Sequence, residues 1–90
     1  MNNPQFPLGK TVATPGALDL LTNEELYTLL HRHSSGDWGD MCQDDKDLND
    51  HALAMGEGRL FSSYVTGKGR IWVITEADRS ITTVLLPSEY

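Results

Sequence analysis

Arg70-Ile71-Trp72-Val73-Ile74-Thr75-Glu76-Ala77-Asp78-Arg79-Ser80-Ile81-Thr82-Thr83-Val84-Leu85-Leu86 is a run of β-branched and aromatic residues broken by one short polar insert, Ala77-Asp78-Arg79-Ser80. Such side chains suit a pleated, half-buried surface, and so short a break requires a hairpin. Upstream, Gly67-Lys68-Gly69 separates this run from Arg59–Thr66, which has the same character. Strands over Arg59–Thr66, Arg70–Glu76 and Ile81–Leu86 therefore form an antiparallel meander. Side-chain alternation sets Ile71, Val73 and Thr75 against Trp72 and Ile74, and Ile81, Thr83 and Leu85 against Thr82, Val84 and Leu86. Both sheet faces are thus apolar. Helices cover one; the other is covered by the N-terminal arm and the Trp38 loop, or it meets another chain, a homodimer included.

The residues before the meander read as helices. Thr14-Pro15-Gly16 is a helix start, with Thr as cap and Pro at the first position, leading into a short turn over Ala17–Leu21. Thr22-Asn23-Glu24-Glu25 has capping-box spacing. From Glu24 to about His33, Leu26, Tyr27, Leu29 and Leu30 share a face, and Gly36 stops the helix. His31 and His33 suit that C-terminal end and point to different sides. Gly36-Asp37-Trp38-Gly39-Asp40 is a turn around one large aromatic, with Trp38 plugging the core. A third helix runs from Asp44 or Asp45 to Met55, with Leu48, Ala52 and Met55 on one face and Gly56 and Gly58 at its end. Ahead of all these, Pro4, Pro7 and Gly9 mark an extended lead-in, and Thr11-Val12-Ala13 reads as a short strand or ordered arm. The expected architecture is α+β: two to three N-terminal helices on a three-stranded antiparallel meander, with a fourth short N-terminal strand as an option. It forms one domain over 1–90: arm 1–13, helical part 14–56, sheet 59–87.

With 90 residues, 39% hydrophobic and 22% charged, the chain has room for one core and no separate catalytic domain. Thirteen acidic against seven basic side chains give a formal charge of −6. That charge disfavours direct binding to nucleic acid and suits a basic protein surface, including one that itself holds nucleic acid. No apolar run approaches the ~18 residues of a membrane span. The lone Cys42 and an N-terminus without a basic or apolar leader pattern point to the cytoplasm.

Candidate sites each have a structural alternative. Asp37, Asp40, Asp44, Asp45, Asp47 and Asp50 lack the alternating ligands, central Gly and terminal Glu of a calcium loop, and read instead as a solvated face or a patch for a basic partner. His31, His33, Cys42 and His51 lack zinc-ligand spacing, so no metal is expected. No nucleotide-binding or nucleophile-elbow motif occurs, and no cofactor is expected. Arg70, Thr75, Glu76, Asp78, Arg79, Ser80, Thr82 and Thr83 form the densest polar group. Combined with His33, they hold the parts of a metal-independent ribonuclease: a proton-transfer group and a guanidinium for phosphorane charge. The same residues also build a stable turn, Asp78 capping it and Arg79 pairing with Asp78 or Glu76.

His33-Ser34-Ser35-Gly36-Asp37-Trp38-Gly39, Asn49, Ser63-Tyr64, the run Arg70–Ser80, Thr82–Pro87 and the terminal Glu89-Tyr90 together resemble a group of small bacterial proteins found on plasmids and integrative elements. The resemblance covers nearly the whole chain and is most specific over Trp72–Pro87. It implies a mobile-element accessory role without implying a reaction. A second likeness, in element order and in His33, Arg70, Arg79 and Thr82 or Thr83, is to the barnase-like and colicin-like ribonuclease toxins, from which the acidic charge departs. The leading expectation is a non-enzymatic accessory or anti-defence protein. Its expected binding residues are Asp37, Trp38, Asp40, Asp44, Asp45, Asp47, Trp72, Glu76, Asp78 and Arg79. The rival expectation is a ribonuclease with His33, Arg70, Arg79, Thr82 and Thr83 at its site.

Overall fold

The computed structural model describes residues 4–90, so the first three residues of the expected arm lie outside it. The chain runs β1 (Lys10–Ala13), α1 (Pro15–Leu20), α2 (Asn23–Ser34), α3 (Gln43–Met55), β2 (Leu60–Thr66), β3 (Gly69–Thr75), β4 (Ile81–Leu85), then a 3-10 turn over Pro87–Glu89. It is an α+β fold with helices ahead of the meander. The sheet order is β1-β4-β3-β2. β2 pairs antiparallel with β3, and β3 with β4. The arm supplies the fourth strand: β1 lies parallel to β4, with the Lys10 N–H on Ser80 O at 2.9 Å and the Thr14 N–H on Val84 O at 3.0 Å. Gly9 makes this approach feasible. Its φ is +66°, and a Cβ there would sit 2.3 Å from the Ser80 carbonyl oxygen.

The helix starts follow their local chemistry. Thr14 caps α1 with Pro15 in the first turn, and Thr22 and Glu25 exchange hydrogen bonds in a capping box, at 3.2 Å and 2.8 Å. α3 ends on Gly56 in the left-handed region at φ 71°. The helices cover the sheet face that carries Leu60, Ser62, Tyr64, Ile71, Val73, Thr75, Thr82 and Val84. Ala17, Leu21 and Leu29 pack there against Tyr64, Ile71, Val73 and Val84. Phe6, Trp38 and Leu60 form an adjoining cluster. Each large aliphatic buried in this way contributes about 1.5–3 kcal/mol before entropy is counted. Trp38, 3% exposed, is the expected plug, stacked on Phe6 at 6.2 Å between ring centroids.

Two expectations need correcting. Of the stripe Leu48, Ala52 and Met55, Ala52 alone packs on the core, beside the Phe6, Trp38 and Leu60 cluster; Leu48 is 67% and Met55 58% exposed, while Asn49 is buried. The cause is hydrogen bonding. Asn49 donates from Nδ2 to Phe61 O at 2.6 Å and accepts the Phe61 N–H on Oδ1 at 3.0 Å, satisfying the outer edge of β2 and fixing the rotation of the helix. Nor do the arm and the Trp38 loop cover the second sheet face, because Phe6 and Trp38 both pack on the helix side. The C-terminus covers part of it instead. Trp72 lies between Phe61 at 4.9 Å and Tyr90 at 5.6 Å, both edge to face, and Arg59 stands over the Tyr90 ring.

The loop after α2 closes the rest of the β2 edge. Ser63 N–H bonds Trp38 O at 3.1 Å, Asp40 N–H bonds Ser63 O at 2.6 Å, and Val65 N–H bonds Asp40 Oδ2 at 3.0 Å. Gly39, at φ +79°, lies so close that a Cβ would fall 2.2 Å from Ser63 O. Asn49→Ala leaves the Phe61 groups without partners and is expected to lower the free energy of unfolding by about 2–3 kcal/mol in urea titration. Gly39→Ala adds backbone strain to a clash and is expected to cost about 2 kcal/mol or more.

Candidate functional site

The residues expected to form a ribonuclease site fall into three separate environments. His33 leaves α2 on the covered sheet face and is fully buried. Its Nδ1 meets Ser62 Oγ at 2.5 Å and its Nε2 meets Thr75 Oγ1 at 2.9 Å. Thr75 Oγ1 lies 2.7 Å from Thr82 Oγ1, which donates to Leu8 O at 2.7 Å. A carbonyl can only accept, so the whole chain has one proton direction. Thr82 gives its proton to Leu8 O and accepts from Thr75; Thr75 accepts from His33 Nε2–H; Nδ1 accepts from Ser62. Phe6 and Trp38 close over the imidazole edge to face, at 5.3 Å and 5.7 Å.

The other members lie elsewhere. Arg70 is on the opposite sheet face, its Nη1 donating to Ser63 Oγ at 2.6 Å. Thr83, registered with Ile74, shares that second face. Arg79 sits at φ 61° in the β3–β4 turn. Its Nη1 donates to the carbonyls of Gly58, Glu76 and Ala77 at 2.6, 3.3 and 3.1 Å, and its Nη2 to Ala52 O at 3.3 Å. It thereby brings a positive charge to the C-terminal end of α3, whose last turn has no basic residue of its own. His33 and Thr82 thus share the buried chain, while Arg70, Arg79 and Thr83 do not approach it.

The residues expected to bind a partner also divide. Asp37 accepts from Arg32 Nε at 2.7 Å and from the Gly39 N–H, while its carbonyl accepts from the buried Tyr64 hydroxyl at 2.6 Å. The Arg32 guanidinium holds the Asp37 carboxyl below the usual carboxylate range. Asp40 serves the β2 edge, and Asp50, accepting the Trp38 indole N–H at 2.9 Å, anchors the plug. Glu76 pairs with Arg59 at 3.6 Å, and Asp78 caps its turn through the Ser80 N–H and hydroxyl. Trp72 is half-buried within its aromatic file. Asp44, Asp45 and Asp47 are exposed, as are Asp37, Asp40 and Asp78, but unlike those they take no part in holding a turn or the sheet edge. Asp47 accepts from Gln43 Nε2, and none of the three joins an ion pair among the described residues.

The sequence reading missed what accompanies them. At helical spacing, Asp44, Leu48, His51 and Met55 form one outward stripe of α3, flanked by Asp45 and Asp47, all exposed. Beside it a shallow groove is lined by Met41, Asp45, Leu48, Asn49, Arg59 and Phe61. The available signal was Asn49, whose place in the seam turns Leu48 and Met55 outward. Among the described residues no group of three or more His, Cys, Asp or Glu side chains is gathered to hold a metal ion, and no helix is long and apolar enough to cross a membrane.

Burial lowers the His33 pKa from 6.5 to about 3. The unfolded state therefore takes up a proton that the native state refuses. The stabilisation is complete above pH 6.5 and is lost as pH falls toward 3, by at most about 1.4 kcal/mol per pH unit. Between pH 6.5 and 5, above the range in which native carboxylates titrate, wild-type stability should fall by about 1–2 kcal/mol, while His33→Gln should be nearly flat. Urea unfolding at stepped pH tests this; parallel slopes for the two proteins would disprove it. No family model, curated protein or solved structure matches the chain.

Proposed function

We propose that this protein is a non-enzymatic accessory or anti-defence protein that captures a basic protein surface through α3. The observation that carries the reading is the outward face of that helix. Asp44, Asp45 and Asp47 flank Leu48, which is 67% exposed, and Met55, 58% exposed, follows two turns further along the same face. An apolar centre rimmed by unpaired charge is the layout of a protein interface: the rim steers association and the buried apolar side chains hold the complex. The net charge of −6 gives the steering its sign. The sequence resemblance to plasmid and integrative-element proteins supports the accessory role. Against catalysis stands the imidazole, whose two nitrogens are both engaged out of reach of solvent.

The test compares bacterial lysate captured by tagged wild type with that captured by two variants. One is Asp44→Asn with Asp45→Asn and Asp47→Asn; the other is Leu48→Ser with Met55→Ser. The first should slow association by about tenfold at low salt and little at high salt, and the second should speed dissociation. The apolar variant should alter stability by no more than about 0.5 kcal/mol, since neither side chain is buried. The triple Asp variant should lower it by about 1 kcal/mol, since Asp44 and Asp45 complement the N-terminal end of α3, with the fold retained in both. A captured set unchanged in both variants sinks the reading. Cleaved host RNA on expression, abolished by His33→Ala with the fold intact, would favour catalysis instead.

A further inference from the structure

The two edges of the sheet are finished differently. Along β2 every outward backbone group from Phe61 to the Val65 N–H has a partner. Along β1 the N–H groups of Lys10 and Thr14 turn inward to β4, so the alternation presents the N–H and C=O of Thr11 and Ala13 outward. Among the described residues nothing bonds to them. An open edge of this kind is a template for another strand.

Apolar side chains gather around that edge. Of the large hydrophobic residues exposed among the described ones, Val12 (36%), Leu18 (56%), Tyr27 (76%) and Ile81 (39%) all border it. Leu18, Leu26 and Leu30 line a groove against Thr11–Ala13 on the helix side, and Tyr27 adjoins it at Thr11. Val12 and Ile81, in line with Thr83 and Lys10 respectively, belong to the other face.

We propose that β1 pairs antiparallel with β1 of a second copy, about a twofold axis at Val12, joining the two sheets edge to edge. The strand is self-complementary in this register. Thr11 opposite the second copy's Ala13 uses every outward N–H and C=O on both strands, and Val12 meets its own copy in the close, non-hydrogen-bonded position. The apolar groove and Tyr27 then face their counterparts across the axis. The charges agree as well. The register sets Lys10 opposite Thr14 of the second copy, and Thr14 Oγ1 donates to Glu89 Oε1 at 2.5 Å. Lys10 and Thr14 lie on one face by alternation, so an ammonium group comes to a carboxylate on each side of the axis. No foreign strand is needed to satisfy this edge.

Sedimentation velocity from about 1 to 500 µM tests the proposal, beside concentration-dependent amide exchange by NMR. A monomer–dimer equilibrium is expected within that range, with the Thr11 and Ala13 amides becoming protected as dimer forms. Val12→Lys, which opposes two ammonium groups on the axis, should raise the dissociation constant at least tenfold without changing the circular dichroism. Tyr27→Glu, at a largely exposed side chain, supplies the same comparison if Val12→Lys does not fold. A monomer throughout the range overturns the proposal. So does a dimer that survives these substitutions with Thr11 and Ala13 unprotected, which would place the contact on the second sheet face or on α3.

Discussion

The carbonyl of Leu8 can accept a hydrogen bond and never give one, and that asymmetry orders the centre of the molecule. It obliges Thr82 to donate, then Thr75, then the imidazole of His33, and finally Ser62. Five chain segments meet along this line: the arm, α2, β2, β3 and β4. Threonine and serine hydroxyls facing a hydrophobic core would each cost about 1–3 kcal/mol if unpaired. Linked in one direction, they leave no buried side-chain polar atom unpartnered among the described residues. Protonating His33 would put donors on both ring nitrogens and reverse the Ser62 hydroxyl. Burial and proton direction therefore hold the ring neutral together.

The same economy of hydrogen bonds explains where apolar surface is spared. The outer edge of β2 must be satisfied, and Asn49 and the loop after α2 do it. Asn49 can reach Phe61 only if α3 is rotated so that Leu48 and Met55 point away from the sheet. A helix whose hydrophobic stripe alone decided its packing would have buried them. The outward apolar residues of α3 are thus a consequence of how the edge is closed, and Leu48 lies beside the acidic residues of its first turns.

The sequence showed the meander, both hairpins, the Thr14-Pro15 start, the capping box at Thr22 and the stop at Gly56, because each rests on residues close together in the chain. It showed the role of Trp38 as a plug for the same reason: a large aromatic between glycines must bury itself. Features set by distant partners were not visible. Phe6 looked like part of an extended lead-in, yet it stacks on Trp38 and closes over His33. The candidate site suffered most. His33, Arg70, Arg79 and the threonines are near one another in the topology, but strand alternation sends Arg70 and Thr83 to one face and Thr82 to the other. Arg79 is drawn to carbonyls of another element that no local pattern announces. Trp72 looked like an anchor because the covering Tyr90 lies at the far end of the chain.

Charge distribution then decides which surface can act. Arg32 is held by Asp37, Lys68 by Glu25, and Arg59 by Glu76 and the Tyr90 hydroxyl. Arg70 is tied to Ser63, and Arg79 to backbone carbonyls around its turn. Most cations of the chain are thereby fixed against acidic or polar groups; beside Asp44, Asp45 and Asp47 stand the half-buried Lys46 and, across the groove from Asp45, Arg59, which is already held by Glu76. Opposite charges within a few ångströms cancel beyond roughly a Debye length, about 8 Å at physiological salt. What an approaching molecule meets at that distance is the uncancelled remainder. Part of that remainder lies on the N-terminal half of α3, where Asp44, Asp45 and Asp47 join no ion pair among the described residues, the same stretch of surface that leaves Leu48 uncovered.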